Sequence, residues 1–206
     1  MTGGEVRAVV FDVGNVIVEW NRDLLYRQVI PDPSRRAWFF EHVATMAWNL
    51  ELDRGLPFDD GVLALSQQHP EWASEIAAYR DRWIEMLGPA DSSAQELIED
   101  LREQGTTVLG LTNFSAETYP LAVERVPALS LLDGVVVSGR EGVVKPERGI
   151  YDLLLHRFDV AASQVVFTDD SAANIEGARA AGWQAELWEG AAGFRGDLER
   201  LGVLPR

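Results

Sequence analysis

Residues 9–20 read VVFDVGNVIVEW. A run of β-branched and aromatic apolar residues delivers one carboxylate, Asp12, onto a glycine-containing turn, and a second apolar run follows. A short apolar stretch closed by turn residues is the pattern of a buried strand, so residues 6–11 are expected to form one that ends at Asp12 and Gly14. Gly14 is expected to adopt a backbone geometry that a side chain would strain, letting the turn present main-chain groups to a ligand. An isolated Asp here would be an ordinary surface acid at a strand end. What gives it meaning is what the chain places at comparable positions downstream.

From about residue 21 to residue 87 the periodicity becomes helical. Leu24, Leu25, Gln28 and Val29 mark one short helix closed by Pro31 and Pro33, and Trp38, Phe39, His42, Val43 and Met46 continue at helical spacing. Pro57 and Pro70 precede two further helical runs, residues 59–68 and 71–87, so this block reads as all-helical, without strands. After Gly88 and Pro89 strands return. A helix capped by Ser92 or Ser93 should reach Gln104, a strand follows at 107–111, and Ser115 should open the next helix. Strands at 135–138, 165–168 and 184–188 alternate with helices at 150–158, 173–181 and 195–201. Such alternation predicts an α/β fold, a doubly wound parallel sheet covered on both faces. The helical block is inserted after the first strand: a core of residues 1–18 and 89–206 and a small all-helical cap of residues 19–88.

The chain of 206 residues suffices for one substantial core plus a smaller insertion, and 47% apolar residues favour a globular fold. With 18 basic against 33 acidic residues the net charge is -15, which opposes binding to nucleic acid or to an anionic membrane. A phosphorylated small molecule would feel the same repulsion and would need a cation or a local cluster of donors. There are no cysteines, which rules out disulfides and thiolate zinc sites, and His42, His69 and His156 are scattered rather than paired at ligand spacing. No segment combines a basic start with a long apolar stretch, so a soluble cytoplasmic protein is expected. Oligomeric state is not legible here.

In an open parallel sheet, ligands bind beyond the carboxyl ends of the strands. Asp12, the Thr112-Asn113 pair and the Asp169-Asp170 pair each directly follow an expected strand, and Lys145 follows another after a turn through Gly139 and Gly142. Distant in sequence, they should meet on one edge. The set suits phosphoryl transfer, in which a carboxylate nucleophile must approach a charged phosphate. A hard divalent ion relieves that repulsion, and magnesium typically takes one or two carboxylates with water and substrate oxygens. Asp12 and Asp170 would supply the acids, Gly14 a main-chain oxygen and Lys145 a balancing charge, while Thr112, Asn113 and backbone donors hold phosphate oxygens.

The chain resembles the haloacid dehalogenase-like hydrolase superfamily over almost its whole length. FDVGNV matches the nucleophile motif, LTN the phosphate-holding motif, VVKP the lysine motif and VFTDDSAANIEGARAAG the acidic metal motif, in that order. The segment between the first two matches the family's helical cap, and WNLELDRG resembles caps of the sugar-phosphatase-like branch. The resemblance implies that Asp12 attacks phosphorus and that Lys145 and Asp169 join it in catalysis. It also implies that Thr112, Asn113, Lys145 and Asn15 hold the substrate, and that Asp12, the Gly14 main chain and Asp170 bind Mg2+. Asn174 would order the acidic loop.

One departure matters. Most phosphatases of the superfamily carry a second Asp two residues after the nucleophile as general acid and base, and here that position is Gly14. The D-x-G-N form predicts slow turnover, or a leaving group that needs little protonation. It leaves room for a second reading, a catalytically weak member that binds a phosphometabolite or a protein. The dehalogenase branch usually has Tyr at this place, which argues against carbon–halogen cleavage. Trp20 and Trp48 are the expected aromatic walls of the cleft, with Arg54 and Glu19 as specificity residues, and a small organic phosphate monoester, a sugar phosphate or another compact one, is the expected substrate.

Overall fold

In the computed structural model, which describes residues 5–205, the run before Asp12 forms β1 (Ala8–Phe11), buried throughout. After the turn, the second apolar run forms β2 (Val18–Trp20), which pairs antiparallel with β3 (Leu87–Ala90) in a short ribbon. Between the ribbon strands lie α1 (Arg22–Val29), α2 (Pro33–His42), α3 (Met46–Arg54), α4 (Phe58–Gln68) and α5 (Ala73–Asp81). Next come α6 (Ser92–Glu103), β4 (Thr107–Thr112), α7 (Tyr119–Arg125), β5 (Gly134–Val137), α8 (Ser138–Glu141) and α9 (Arg148–Phe158). The chain closes with β6 (Val165–Asp169), α10 (Ala172–Ala180), β7 (Gln184–Leu187) and α11 (Ala191–Arg200).

The main sheet has the order β5-β4-β1-β6-β7, and all its pairings are parallel. Its alternating side chains feed two cores, as the strand period of two requires. Val9, Phe11, Val108 and Val166 face α6 and α11 through Leu97, Leu101, Phe194 and Leu198. Val10, Leu109, Leu111 and Phe167 face α9 and α10 through Ile150, Tyr151, Leu154 and Ile175. The chain moves outward from β1 to β4 and β5, then returns to β6 and β7 on the other side. That reversal opens a crevice at the carboxyl ends of the strands around β1.

The expected doubly wound α/β fold is therefore present, with local differences. The helical run expected at residues 71–87 ends at Asp81. A 3-10 turn, Trp83–Met86, leads into β3, where Leu87 pairs with Trp20 and Asn21 N donates to Met86 O at 2.9 Å. Strand pairing across the insertion thus overrides a local helical pattern, and residues 19–88 are not free of strands. Asp91, rather than Ser92 or Ser93, caps α6, its side chain accepting from the N–H groups of Ser93 and Ala94. Ser115 lies in a turn before α7, and α11 starts at Ala191, directly after the left-handed Gly190 (φ 98°).

The insertion packs around Tyr26, whose ring lies 5.1 Å from Phe39 and 6.2 Å from Tyr79. Its α3 ends against the sheet domain. Gly55 takes a left-handed conformation (φ 112°), and a Cβ there would lie 2.9 Å from Gly139 O, so only glycine permits both the cap and the approach. Gly177 plays a comparable role in α10: an added Cβ would meet Pro146 Cβ at 2.8 Å and Tyr151 Oη at 2.9 Å. Gly177→Ala should therefore cost about 1–3 kcal/mol through overpacking. Urea midpoints should fall accordingly, with the loss extending to activity because α10 and the Lys145 loop are pushed apart. Among the described residues no helix is long and apolar enough to cross a membrane.

Candidate active site

Asp12 extends β1 by one residue, its N–H donating to Thr168 O at 3.0 Å, and this fixes its side chain at the crevice. Oδ1 accepts from Val13 N at 2.7 Å and pairs with Lys145 Nζ at 2.8 Å. Among the described residues no donor meets Oδ2. Burial pushes the Asp12 carboxyl up to about 7; the Lys145 charge opposes the rise and the Asp169 charge adds to it.

Lys145 is the centre of the arrangement. Its buried Nζ donates to Asp169 Oδ2 at 2.6 Å and to Leu111 O at 2.8 Å, besides pairing with Asp12. Burial disfavours the ammonium, yet the two carboxylates more than offset this and hold it above its ordinary value. Asp169 is fixed in turn by Asn174 Nδ2, 3.0 Å from each of its carboxylate oxygens, and by Ser171 N at 2.8 Å. Asn174 thus orders the acidic loop.

Asn113 lines the cleft and is bonded to the lysine loop. Its Nδ2 donates to Lys145 O at 3.0 Å and its Oδ1 accepts from Lys145 N at 2.7 Å. With both ends of the amide engaged, the side chain positions the lysine, and the second N–H of its nitrogen remains at the cleft that Asn113 lines. Asn15 also has both ends engaged: Nδ2 donates to Asp170 Oδ2 at 3.2 Å, and Oδ1 accepts from Trp20 N at 3.0 Å. Its side chain orients Asp170 and lines the cleft beside it. Asn15, with φ 58°, is also the left-handed residue of the turn, whereas Gly14 has no positive φ. A Cβ at Gly14 would meet only Trp20 Cβ, at 3.9 Å. The turn does not need glycine at position 14 for its backbone, contrary to expectation; the asparagine tolerates the strained position instead.

These groups floor a cleft of about 260 Å³ lined by Asp12, Thr112, Asn113, Lys145 and Asp170. Its walls are Trp20, Met46, Leu50, Trp83 and Phe114, with Asn49 and Asp53 between. Trp48 lines a separate hollow on the insertion, and Glu19 lies at another beside β3. Arg54 forms a two-pronged pair with Glu147 at 2.7 and 3.0 Å, joining the insertion to the sheet domain outside the cleft. Asn49 and Asp53 escaped the sequence reading. Their spacing of four on one helix, within WNLELDRG, was the available signal.

Carboxylate oxygens of Asp12, Asp169 and Asp170 lie within 4.8 Å of one another. Since Asp169 is held by lysine and amide donors, Asp12 and Asp170 remain as hard oxygen donors, and Gly14 lines the same cleft. That donor chemistry fits a small divalent cation.

The sequence pattern of the haloacid dehalogenase-like hydrolases matches residues 6–182. The chain is 29% identical over 177 residues to a sesquiterpene phosphatase of Aspergillus oryzae, covering 85% of this chain and 86% of that protein. It is 30% identical over 164 residues to a ribulose-1,5-bisphosphate 5-phosphatase of Halopiger xanaduensis, covering 79% of this chain and 64% of that one. In structure it is similar to a haloacid dehalogenase-family enzyme of Bacteroides thetaiotaomicron crystallised with magnesium and inorganic phosphate. The TM-score is 0.71 at 16% identity, over 88% of this chain and 93% of that one. With the matched pattern running through every strand of the parallel sheet but the last, this chain belongs to the haloacid dehalogenase-like hydrolase family.

Proposed function

We propose that the protein is a magnesium-dependent hydrolase of small organic phosphate monoesters that works through a phosphorylated Asp12. The observation that carries the reading is the buried Lys145 ammonium tying Asp12 to Asp169 at the floor of the cleft. Oδ2 of Asp12 attacks phosphorus in line, and water then releases phosphate from the acyl phosphate. Lys145 holds the attacking carboxylate in place and offsets charge. Thr112 and the main chain after β4 receive the phosphate oxygens, and Asp169 keeps the lysine charged and oriented. Asp12, Asp170 and the Gly14 main chain hold Mg2+, which when bound neutralises charge on the transferring phosphoryl group. Residues 19–88 act as a cap on a core of residues 1–18 and 89–206, hinged at the β2–β3 ribbon and latched by Arg54 and Glu147.

For the organic part, the walls support an apolar skeleton over a sugar. Trp20, Met46, Leu50, Trp83 and Phe114 offer surface to hydrocarbon and few partners for ring hydroxyls. The similarity to a sesquiterpene phosphatase agrees with this. The test is phosphate release with magnesium from a matched panel of prenyl, simple alkyl and sugar monophosphates. Prenyl esters should show kcat/KM about tenfold or more above sugar phosphates, since two buried methylenes at about 0.8 kcal/mol each already exceed the roughly 1.4 kcal/mol that a factor of ten requires. Chelation should abolish all release. Preference for sugars would overturn the substrate class, and release that survives chelation would overturn the metal.

A further inference from the structure

The nucleophile turn lacks the carboxyl that the family usually places two residues after the nucleophile, yet the cleft holds another acid. Asp53, near the end of α3, lines the same cleft as Asp12 and Lys145. It is built into place. Its main-chain oxygen accepts from Ser138 Oγ at 2.5 Å, which anchors it to the sheet domain. Its Oδ2 accepts from Asn49 Nδ2 at 2.7 Å, and Tyr79 Oη donates to Asn49 Oδ1 at 2.5 Å, so the amide can only present its nitrogen to Asp53. The Ser115 main chain also bonds to this carboxyl, so it ties the end of α3 to the loop after β4 as well as lining the cleft. Arg54 beside it turns outward to Glu147 and gives it no counter-charge.

We propose that Asp53, carried on the inserted helices, is the proton donor to the leaving oxygen and thus fills the role left vacant at Gly14. This rests on the reading of Asp12 as nucleophile. In the first step the bond from Asp12 Oδ2 to phosphorus forms, the phosphorus–oxygen bond to the alcohol breaks, and the Asp53 proton passes to that oxygen. In the second, Asp53 as carboxylate takes a proton from water as its oxygen bonds to phosphorus. The Asp12 acyl phosphate is cleaved, and both carboxyls return to their starting states.

The environment suits an acid that is protonated near neutrality. Burial pushes Asp53 up to about 7; Asn49 and the Ser115 main chain pull the other way, the Asp12 charge adds to the rise and the Lys145 charge opposes it. Tyr79 from α5 faces the same pair. Supplying the acid from the insertion also couples chemistry to docking of the cap, since the donor is present only when α3 rests on Ser138.

The test compares Asp53→Asn with wild type, with magnesium, on a simple alkyl phosphate and on p-nitrophenyl phosphate, whose phenolate departs without a proton. Loss of a general acid should lower kcat/KM about 10²–10⁴-fold for the alkyl ester and less than about tenfold for the nitrophenyl ester. Adding Gly14→Asp to Asp53→Asn should restore part of the alkyl rate, as position 14 has room for a side chain. Equal losses on both esters, or no loss on the alkyl ester, would overturn the proposal. An inactive Asp12→Asn alongside equal losses overturns only the proton donor, whereas an active Asp12→Asn overturns the nucleophile as well. Should Asp53→Asn not fold, the wild-type pH profile decides. Ionisation of Asp12 raises both rates together, but only the alkyl rate should fall as pH climbs past about 7. Parallel profiles would overturn the proposal.

Discussion

Asp12→Asn should fold and yet lose phosphate release on the order of 10⁴-fold or more, the scale seen when a nucleophile is removed. The fold should survive because the amide keeps the shape and still offers Lys145 an oxygen, while Asp169 continues to pair with the ammonium at 2.6 Å. Burial already costs the ionised Asp12 enough to push it up to about 7, so a neutral isostere relieves a desolvation penalty. The chemical loss has no comparable relief, because an amide oxygen is a poor nucleophile toward a phosphate ester. Acid quenching during turnover followed by hydroxylamine should trap an acyl phosphate in wild type and none in the variant. A labelled acyl phosphate in Asp12→Asn would move the covalent step to another carboxylate.

Lys145→Met should produce the largest loss of stability, about 3–5 kcal/mol, the usual cost of leaving buried charge without its partner. The ammonium is the only cation against both Asp12 and Asp169 among the described residues, and it also satisfies Leu111 O. Without it, two carboxylates meet in a buried site with no counter-charge, and the Asp12 carboxyl is pushed further toward its protonated form. The sign of the pH dependence follows. Lys145 lowers the Asp12 value, so its removal moves that value further above the unfolded-state 3.8. Stability contributed by the protonated form is present below about 4 and disappears as pH rises through the raised folded-state value. The defect should therefore be smaller at pH 5 than at pH 8, read from urea midpoints in the presence of chelator. A deficit that shrinks with rising pH would contradict this account of the triad.

The sequence reading succeeded where a strand carries its own address. Asp12, Thr112 and Asp169 stand at the ends of apolar runs with strand character, which a parallel sheet delivers to one edge, and Lys145 reaches them from the loop after α8. Adjacency in sequence does not reveal a side chain's other partners. Asn113 and Asn15 read as substrate contacts because they follow Thr112 and Gly14, and the structure adds that their amides bond to Lys145 and Asp170. Trp48 and Trp83 are equally aromatic and both lie on the insertion, and only the packed structure sends Trp83 into the cleft and Trp48 away from it.

The primary structure by itself determined the α/β architecture, the position of the helical insertion and the polar groups at the strand ends, because hydrophobic period and turn residues act over a few neighbouring positions. The tertiary structure alone decided which face of α3 looks into the cleft. That orientation depends on Gly55 approaching Gly139 and on Ser138 bonding to Asp53, contacts between segments about 85 residues apart. Periodicity tells a helix which of its faces is apolar; it says nothing of which distant loop that helix will meet, and it is this meeting that sets Asp53 in the cleft with Asp12.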